Sequence, residues 1–272
     1  MVMRRHAIYT IFLLALLAIF TAPCLAADDG SFAVIGDTRV GRTDAPYTAF
    51  IRQVEKDGLQ TVVHVGDAID SPGTEDQWTK FLNITGTKIT LYIAPGNHDV
   101  NSRRSLATYT KILGKEPYYS VSRNDTLIIF LNSELPGQEA KITAQQLDWL
   151  EKELARNFKY KFVFLHRPVF PSPIGTGYGL DRYPPDRNRL HQLFVKDGVA
   201  LAMAGHEHLY HRSEKDGTVY VITGGGGAPL HTFTEESGGF LHYIVAKKTN
   251  EGYFFRVVDF KGTTRDEFSV KK

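Results

Sequence analysis

Residues 61–70 read TVVHVGDAID. A short run rich in β-branched residues leads straight into a glycine and an aspartate. Four other stretches share this grammar: FAVIGDTR at 32–39, ITLYIAPGNHD at 89–99, FVFLHRP at 162–168 and ALAMAGHEH at 200–208. Further apolar runs at 127–131 and 219–223 lack the polar ending. Most of these runs are apolar throughout rather than alternating, which suits strands buried on both faces.

Helical spacing appears between them. Residues 48–56 carry Phe50, Ile51 and Val54; residues 185–195 carry Leu190, Leu193 and Phe194. Thr143 and Gln146 have the spacing of a capping box, ahead of Leu147, Leu150 and Leu154 on one face with Trp149 beside it. Strands alternating with helices predict an α/β fold. The tail differs: 239–247, 252–260 and 264–270 read as consecutive antiparallel strands. No linker, repeat or low-complexity stretch interrupts the chain, so one domain is expected over 27–272. The Pro-, Gly- and Tyr-rich stretch 167–185 is long enough to form a functional lip.

In open α/β sheets the carboxyl ends of strands line the binding crevice. Five such ends here deliver Asp, Asn or His. Two carboxylates, one amide oxygen and three imidazoles form a donor set without thiolate. That set suits Zn, Fe, Mn or Ni and argues against Cu(I) or an iron–sulfur cluster. Six donors are too many for one tetrahedral ion and about right for two ions sharing a carboxylate. Each cluster alone is ambiguous. Gly-Asp is an ordinary turn former, and residues 97–99 would also suit a cap for a helix starting near Asn101. The joint occurrence, each after an apolar strand, is what points to a metal site.

Composition narrows the function classes. Of 272 residues, 42% are hydrophobic and 23% charged, which excludes a disordered chain and a multi-span membrane protein. Arg4 and Arg5 precede an apolar run over 7–22, and Cys24-Leu25-Ala26 places small residues before a cut after Ala26. The run is shorter than the ~20 residues of a spanning helix, so 1–26 reads as a secretory signal peptide, with an uncleaved N-terminal anchor as the alternative. Export to the periplasm or outside the cell follows as an expectation. Removal of 1–26 takes the formal charge from +2 to zero and removes the single cysteine. A neutral mature chain argues against nucleic acid as a stable partner. No membrane association beyond the signal peptide is expected, and oligomeric state is invisible.

The five blocks GDTR (36–39), GDAID (66–70), GNHD (96–99), LHRP (165–168) and GHEH (205–208) together resemble the calcineurin-like metallophosphoesterase superfamily, in its order and over most of the chain. QQLDWLEKEL (145–154) and TGGGGAP (223–229) are similar to a family helix and glycine-rich turn. The resemblance implies a four-layer α/β/β/α sandwich of two mixed β-sheets flanked by helices. It implies a cofactor of two divalent or trivalent ions (Mn, Fe, Zn, Ni or Mg). Asp67 would bridge them, Asn97, His166 and His206 would complete the second site, and Asp37 and His208 would serve the first. His98 would stand near the leaving group, with Asp99 as its orienting partner. The implied activity is hydrolysis of a small phosphorylated substrate, mono- or diester, by metal-bound hydroxide. A secreted, non-catalytic metal- or phosphate-binding protein on the same scaffold is the alternative.

One position departs from the family. Many members carry histidine, a first-site ligand, where this chain has Arg39, and guanidinium has no lone pair for a metal. Water could fill the gap, Asp70 could swing in as a ligand, or Arg39 could clamp the substrate phosphate. A plain salt bridge from Arg39 to Asp70 or Asp44 is the structural alternative. Purple acid phosphatases also lack that histidine but use a tyrosine where this chain has Asp70, so no purple Tyr–iron centre is expected. Arg167 is a candidate substrate-binding residue, and His211 a candidate for metal contact or support. His64 reads as structural, and His191, His231 and His242 have no motif context.

Overall fold

The computed structural model describes residues 29–271; the signal-peptide reading of 1–26 lies outside them. Twelve strands form two six-stranded sheets. The first sheet contains β1 (Phe32–Ile35), β2 (Thr61–His64) and β3 (Thr90–Ile93), paired in parallel. Beside β1 it continues with the antiparallel tail β10 (His242–Thr249), β11 (Gly252–Asp259) and β12 (Thr264–Lys271). The second sheet has the order β4 (Tyr119–Arg123), β5 (Thr126–Phe130), β6 (Tyr160–Phe164), β7 (Leu201–Ala204), β9 (Thr218–Thr223) and β8 (Tyr210–Lys215). Its outer pairs, β4 with β5 and β8 with β9, are antiparallel, and the rest are parallel.

Three apolar layers hold the sandwich together. Between the sheets, Phe32, Val34, Val63 and Phe255 meet Phe130, Phe162, Phe164 and Met203. The other face of the first sheet is covered by α1 (Ala45–Lys56), α2 (Glu75–Thr85) and α3 (Arg103–Leu113), through Phe50, Val54, Trp78, Phe81 and Tyr109. The other face of the second is covered by α4 (Ala144–Leu154) and α5 (Pro184–Lys196), through Leu147, Leu150, Leu154, Leu190 and Phe194. This is the expected α/β/β/α sandwich. Strands covered on both faces must be apolar on both, which is why β1, β2, β5 and β7 are buried throughout.

Some local expectations need correction. Thr143 does not form a capping box: its hydroxyl donates to the Gln138 amide oxygen at 2.9 Å. Gln146 instead brackets Asn132, accepting from its N–H at 2.8 Å and donating to its carbonyl at 2.9 Å. The capping box is at Ser102 and Ser105, at the start of α3. Helix α2 and strands β4 and β8 were not expected from the sequence, and α3 only as a helix near Asn101 capped by residues 97–99; its N-cap is Ser102. Helix α2 buries only Trp78, Phe81 and Thr85, and α3 only Ser105 and Tyr109, so their apolar signal is weak.

Candidate metal centre

Strands β1, β2, β3, β6 and β7 end on one edge of the sandwich, and their following loops converge there. His166, just after β6, is the hub. Its Nε2 lies 3.1 Å from His206 Nδ1, 3.2 Å from Asn97 Oδ1 and 3.4 Å from Asp67 Oδ1. Its Nδ1 lies 2.9 Å from the Val65 carbonyl, which only an N–H can satisfy, so the Nε2 lone pair faces the cluster. His208 repeats the device: Nδ1 donates to the Pro229 carbonyl at 2.7 Å and Nε2 points at Asp37 Oδ1, 3.3 Å away. Asp37, Asp67 and His166 each offer a ligand atom within 4.8 Å of one another. All six residues assigned as ligands therefore converge on one site.

The backbone is bent to achieve this. Asp37, Arg39, Asp67 and His206 all have φ between 51° and 68°, a left-handed conformation that costs a non-glycine residue about 1–3 kcal/mol. Close approach explains two of the glycines. A Cβ on Gly96 would strike the Asp67 carboxylate, and one on Gly205 would strike Asp37.

Electrostatics match a bound cation. Burial pushes Asp67 well above the carboxylate range, and the charges of Asp37 and Asp99 add to it. Burial and the neighbouring His206 hold His166 well below the imidazole range. Burial and Arg167 push His206 down to about 2. Burial also lowers His208, but its hydrogen bond and ion pair with Asp37 outweigh that, so it ends raised. Crowded buried carboxylates beside neutral imidazoles are a donor set in need of a positive ion. The residues present fit a divalent metal.

The neighbours differ from expectation in several places. Asp99 does not orient His98. It is fully buried and accepts the backbone N–H groups of Asp67, Ala68, Ile69 and Gly96 at 2.8–3.2 Å. His98 is oriented by the Asp70 carbonyl, 2.7 Å from its Nδ1, which leaves Nε2 free. Burial keeps its pKa below the imidazole range, only partly offset by that carbonyl. Asp70 is turned to Arg39 rather than to the cluster. Its Oδ1 accepts from Arg39 Nε at 3.0 Å and Nη2 at 2.7 Å, the salt bridge that was the structural alternative. Arg167, the substrate-binding candidate, is engaged with protein groups. Nε and Nη2 hold Glu134 at 2.8 and 3.1 Å, and Nη1 meets the Tyr178 carbonyl at 3.1 Å and His206 Nε2 at 2.8 Å. His211 lies in β8 opposite Ile222, with no hydrogen bond or ion pair among the described residues.

Three residues, Glu134, His231 and Glu207, reach the centre unannounced, and Tyr178 of the 167–185 lip stands beside them. Glu134 anchors Arg167 from the loop after β5, a sixth strand end carrying a carboxylate that the block pattern passed over. His231 packs on His208, with ring centroids 4.3 Å apart, and its Nδ1 accepts the His208 N–H at 3.3 Å. Tyr178 is 52% exposed, its ring 6.1 Å from His206 and 5.8 Å from His231. Buried Glu207 ties down the 167–185 loop by accepting the Ser172 hydroxyl and N–H. Other aromatics of that loop serve structure: Phe170 packs on His191 and Tyr220, and Tyr183 stacks under Lys141. His64 is structural as read, bonded to Thr38 and the Gly66 N–H.

Known proteins share this architecture. The family model for calcineurin-like phosphoesterases matches residues 30–210. A phosphoenolpyruvate phosphatase of Allium cepa is 29% identical over 227 residues, 74% of this chain and 45% of that protein. Purple acid phosphatase 5 of Arabidopsis thaliana is 25% identical over 210 residues, 74% of this chain and 49% of that protein. The chain thus spans about half the length of these curated relatives. Among solved structures, a purple acid phosphatase from yellow lupin seeds superposes with a TM-score of 0.73 at 18% identity, covering 89% of this chain and 53% of that one. A dimetal phosphatase from Danio rerio gives 0.60 at 14% identity, covering 89% and 98%.

Proposed function

The chain belongs to the calcineurin-like phosphoesterase family, and on that premise we propose that it hydrolyses phosphoesters of small molecules with a divalent metal held at the strand-end cluster. The observation that carries this reading is the convergence of Asp67, Asn97 and His206 on His166 Nε2, all within 3.4 Å. A bound divalent ion supplies Lewis acidity and lowers the pKa of water toward ~7.

The chain's own residues do the rest. Asp67, Asn97 and His166 would hold the ion, and His206 would join them through Nδ1 when the proton that the Arg167 contact to Nε2 places there is displaced. Backbone carbonyls of Val65 and Pro229 fix the tautomers of His166 and His208. His98 Nε2 is the ring atom free to face the leaving oxygen, and it gives up a proton only from the doubly protonated ring, because the Nδ1–H is committed to the Asp70 carbonyl. Glu134 holds Arg167, and Arg167 holds the His206 ring, so that ring is set before substrate arrives. Export is part of the reading, motivated by the charged and apolar pattern of 1–26. A mature protein that retains residues 1–26 and stays in the cell interior would sink that part.

The test is turnover of an aryl phosphate, a bis-aryl phosphate and a cyclic nucleotide by metal-free protein titrated with Mn²⁺, Zn²⁺ or Fe²⁺. Hydrolysis that appears with metal and disappears in Asp67→Asn is the expected result. No turnover of any ester with any metal would favour the non-catalytic binder instead.

A further inference from the structure

We propose that this chain holds one resident divalent ion rather than two, and that the Arg39 guanidinium stands where the second cation would be. The proposal rests on the metal-dependent reading above and specifies how its charge is supplied.

The two oxygens of Asp67 face different cations. Oδ1 lies on the side of His166, 3.4 Å from its Nε2, and also accepts the His98 N–H at 2.8 Å. Oδ2 lies 4.0 Å from Arg39 Nη1. A carboxylate placed to bridge two metals thus has metal donors on one side and an organic cation on the other.

The donors divide in the same way. Asp67, Asn97, His166 and, once its Nδ1 proton is displaced, His206 surround one position with two oxygens and two nitrogens, a set for a four-coordinate ion. On the Arg39 side few donors remain, since the ligand atom of Asp37 lies within 4.8 Å of those of Asp67 and His166, beside the first position. Asp37 accepts the His206 N–H with both oxygens, at 3.2 and 3.0 Å, and sits 3.3 Å from His208 Nε2. Arg39 contributes no lone pair. A second divalent ion would therefore find few free ligands and a permanent positive charge beside it.

The guanidinium is held in place. Arg39 is 8% exposed. Its N–H donates to the Asp67 carbonyl at 3.0 Å, with φ at 51°. Nε and Nη2 both grip Asp70 Oδ1, and the Asp70 N–H is tied to the Gln77 side chain at 3.0 Å. Swinging away would break a partly buried ion pair. Nη1 makes no hydrogen bond among the described residues, so its N–H groups remain available to a phosphoryl oxygen. The fork geometry of guanidinium suits that partner.

The experiment measures metal, not turnover. Protein loaded with Mn²⁺ and gel-filtered is expected to carry one ion per chain by elemental analysis, with the electron paramagnetic resonance spectrum of an isolated Mn²⁺. Asn97→Ala should lose that ion and His208→Ala should keep it. Arg39→His should gain a second ion and an exchange-coupled spectrum. Two ions or a coupled spectrum in the wild type would overturn the proposal and leave phosphoester hydrolysis standing. So would an ion lost with His208→Ala but retained with Asn97→Ala, or a folded Arg39→His that still binds one. No ion in the wild type would overturn both the proposal and the metal-dependent function. If Arg39→His does not fold, wild-type stoichiometry and spectrum decide alone.

Discussion

Asp99 holds Asp67 by its backbone: the Asp67 N–H donates to Asp99 Oδ2 at 2.8 Å, and the next two N–H groups donate to Oδ1 at 3.0 and 3.2 Å. A conspicuous acid of the GNHD block is thus a structural clamp for the proposed ligand Asp67. Burial pushes it up to about 7 even though it accepts four N–H groups. Replacing it by alanine leaves those N–H groups buried without an acceptor, at about 1–3 kcal/mol for each one not reached by water. Asp99→Ala is expected to lose several kcal/mol by urea unfolding and to bind metal more weakly. An Asp99→Ala protein with wild-type stability and metal affinity would remove the clamp assignment.

His98 should matter according to the leaving group. Its Nε2 is the free ring atom, and a general acid contributes about 10²–10⁴-fold when the leaving oxygen needs a proton. His98→Ala is expected to keep its metal, to hydrolyse nitrophenyl phosphate within a few fold of wild type, and to slow on alkyl phosphates by that factor. Equal losses on both substrates would place His98 in binding rather than proton transfer.

The buried histidine of β10 gives a pH prediction. Burial pushes His242 down to about 4, with a partial offset from the Phe240 carbonyl. Its Nδ1–H donates to that carbonyl at 2.9 Å, and its Nε2 meets the Thr223 hydroxyl at 3.1 Å, so the neutral ring is satisfied and burial opposes the charged one. Between pH 6.5 and 4 the unfolded chain binds this proton and the folded chain does not. Stability from this group is full above pH 6.5 and falls with acidification, by about 1.4 kcal/mol per pH unit at most. Asp99 works in the opposite sense over the same window, because its folded pKa is raised. The measurable quantity is therefore a difference: wild type should lose more stability than His242→Gln between pH 6.5 and 4.5. Parallel pH profiles would refute it.

Tyr178 should tune substrate preference. It is half-exposed beside His206 and His231, on a loop anchored by Glu207. A ring stacked on an aromatic leaving group is worth about 0.5–1.5 kcal/mol. Tyr178→Ala is expected to raise KM for aryl phosphates about 3- to 10-fold and to leave alkyl phosphates unaffected. A uniform change in kcat across both classes would point to a disturbed metal centre instead.

How legible each element was follows from what its residues had to satisfy. Strands β1, β2, β5 and β7 stood out because both of their faces are covered. Helices α2 and α3 did not, because each buries two or three residues on a short face. Thr143 and Gln146 have capping-box spacing, but each found a stronger partner elsewhere, at Gln138 and Asn132. That choice depends on loop geometry outside the helix. His231 was unreadable for a similar reason: it enters the centre from a loop with no block pattern, 23 residues beyond the histidine it packs on.

The sequence by itself determined an α/β fold and the inventory of donors, while the two-sheet sandwich was implied by the family resemblance of the five blocks. Apolar strands buried on both faces force a layered fold, and polar residues at their carboxyl ends have nowhere to go but the shared edge. Only the tertiary structure decided which donors face an ion and which face each other. Asp70 could have been a ligand, Asp99 a partner for His98 and Arg167 a substrate clamp, and nothing in their spacing chose otherwise. Contact with Arg39, with four backbone N–H groups and with Glu134 made the choice. Buried charges and buried N–H groups must each find a partner at about 3 Å, and those distances are set by how loops far apart in sequence meet.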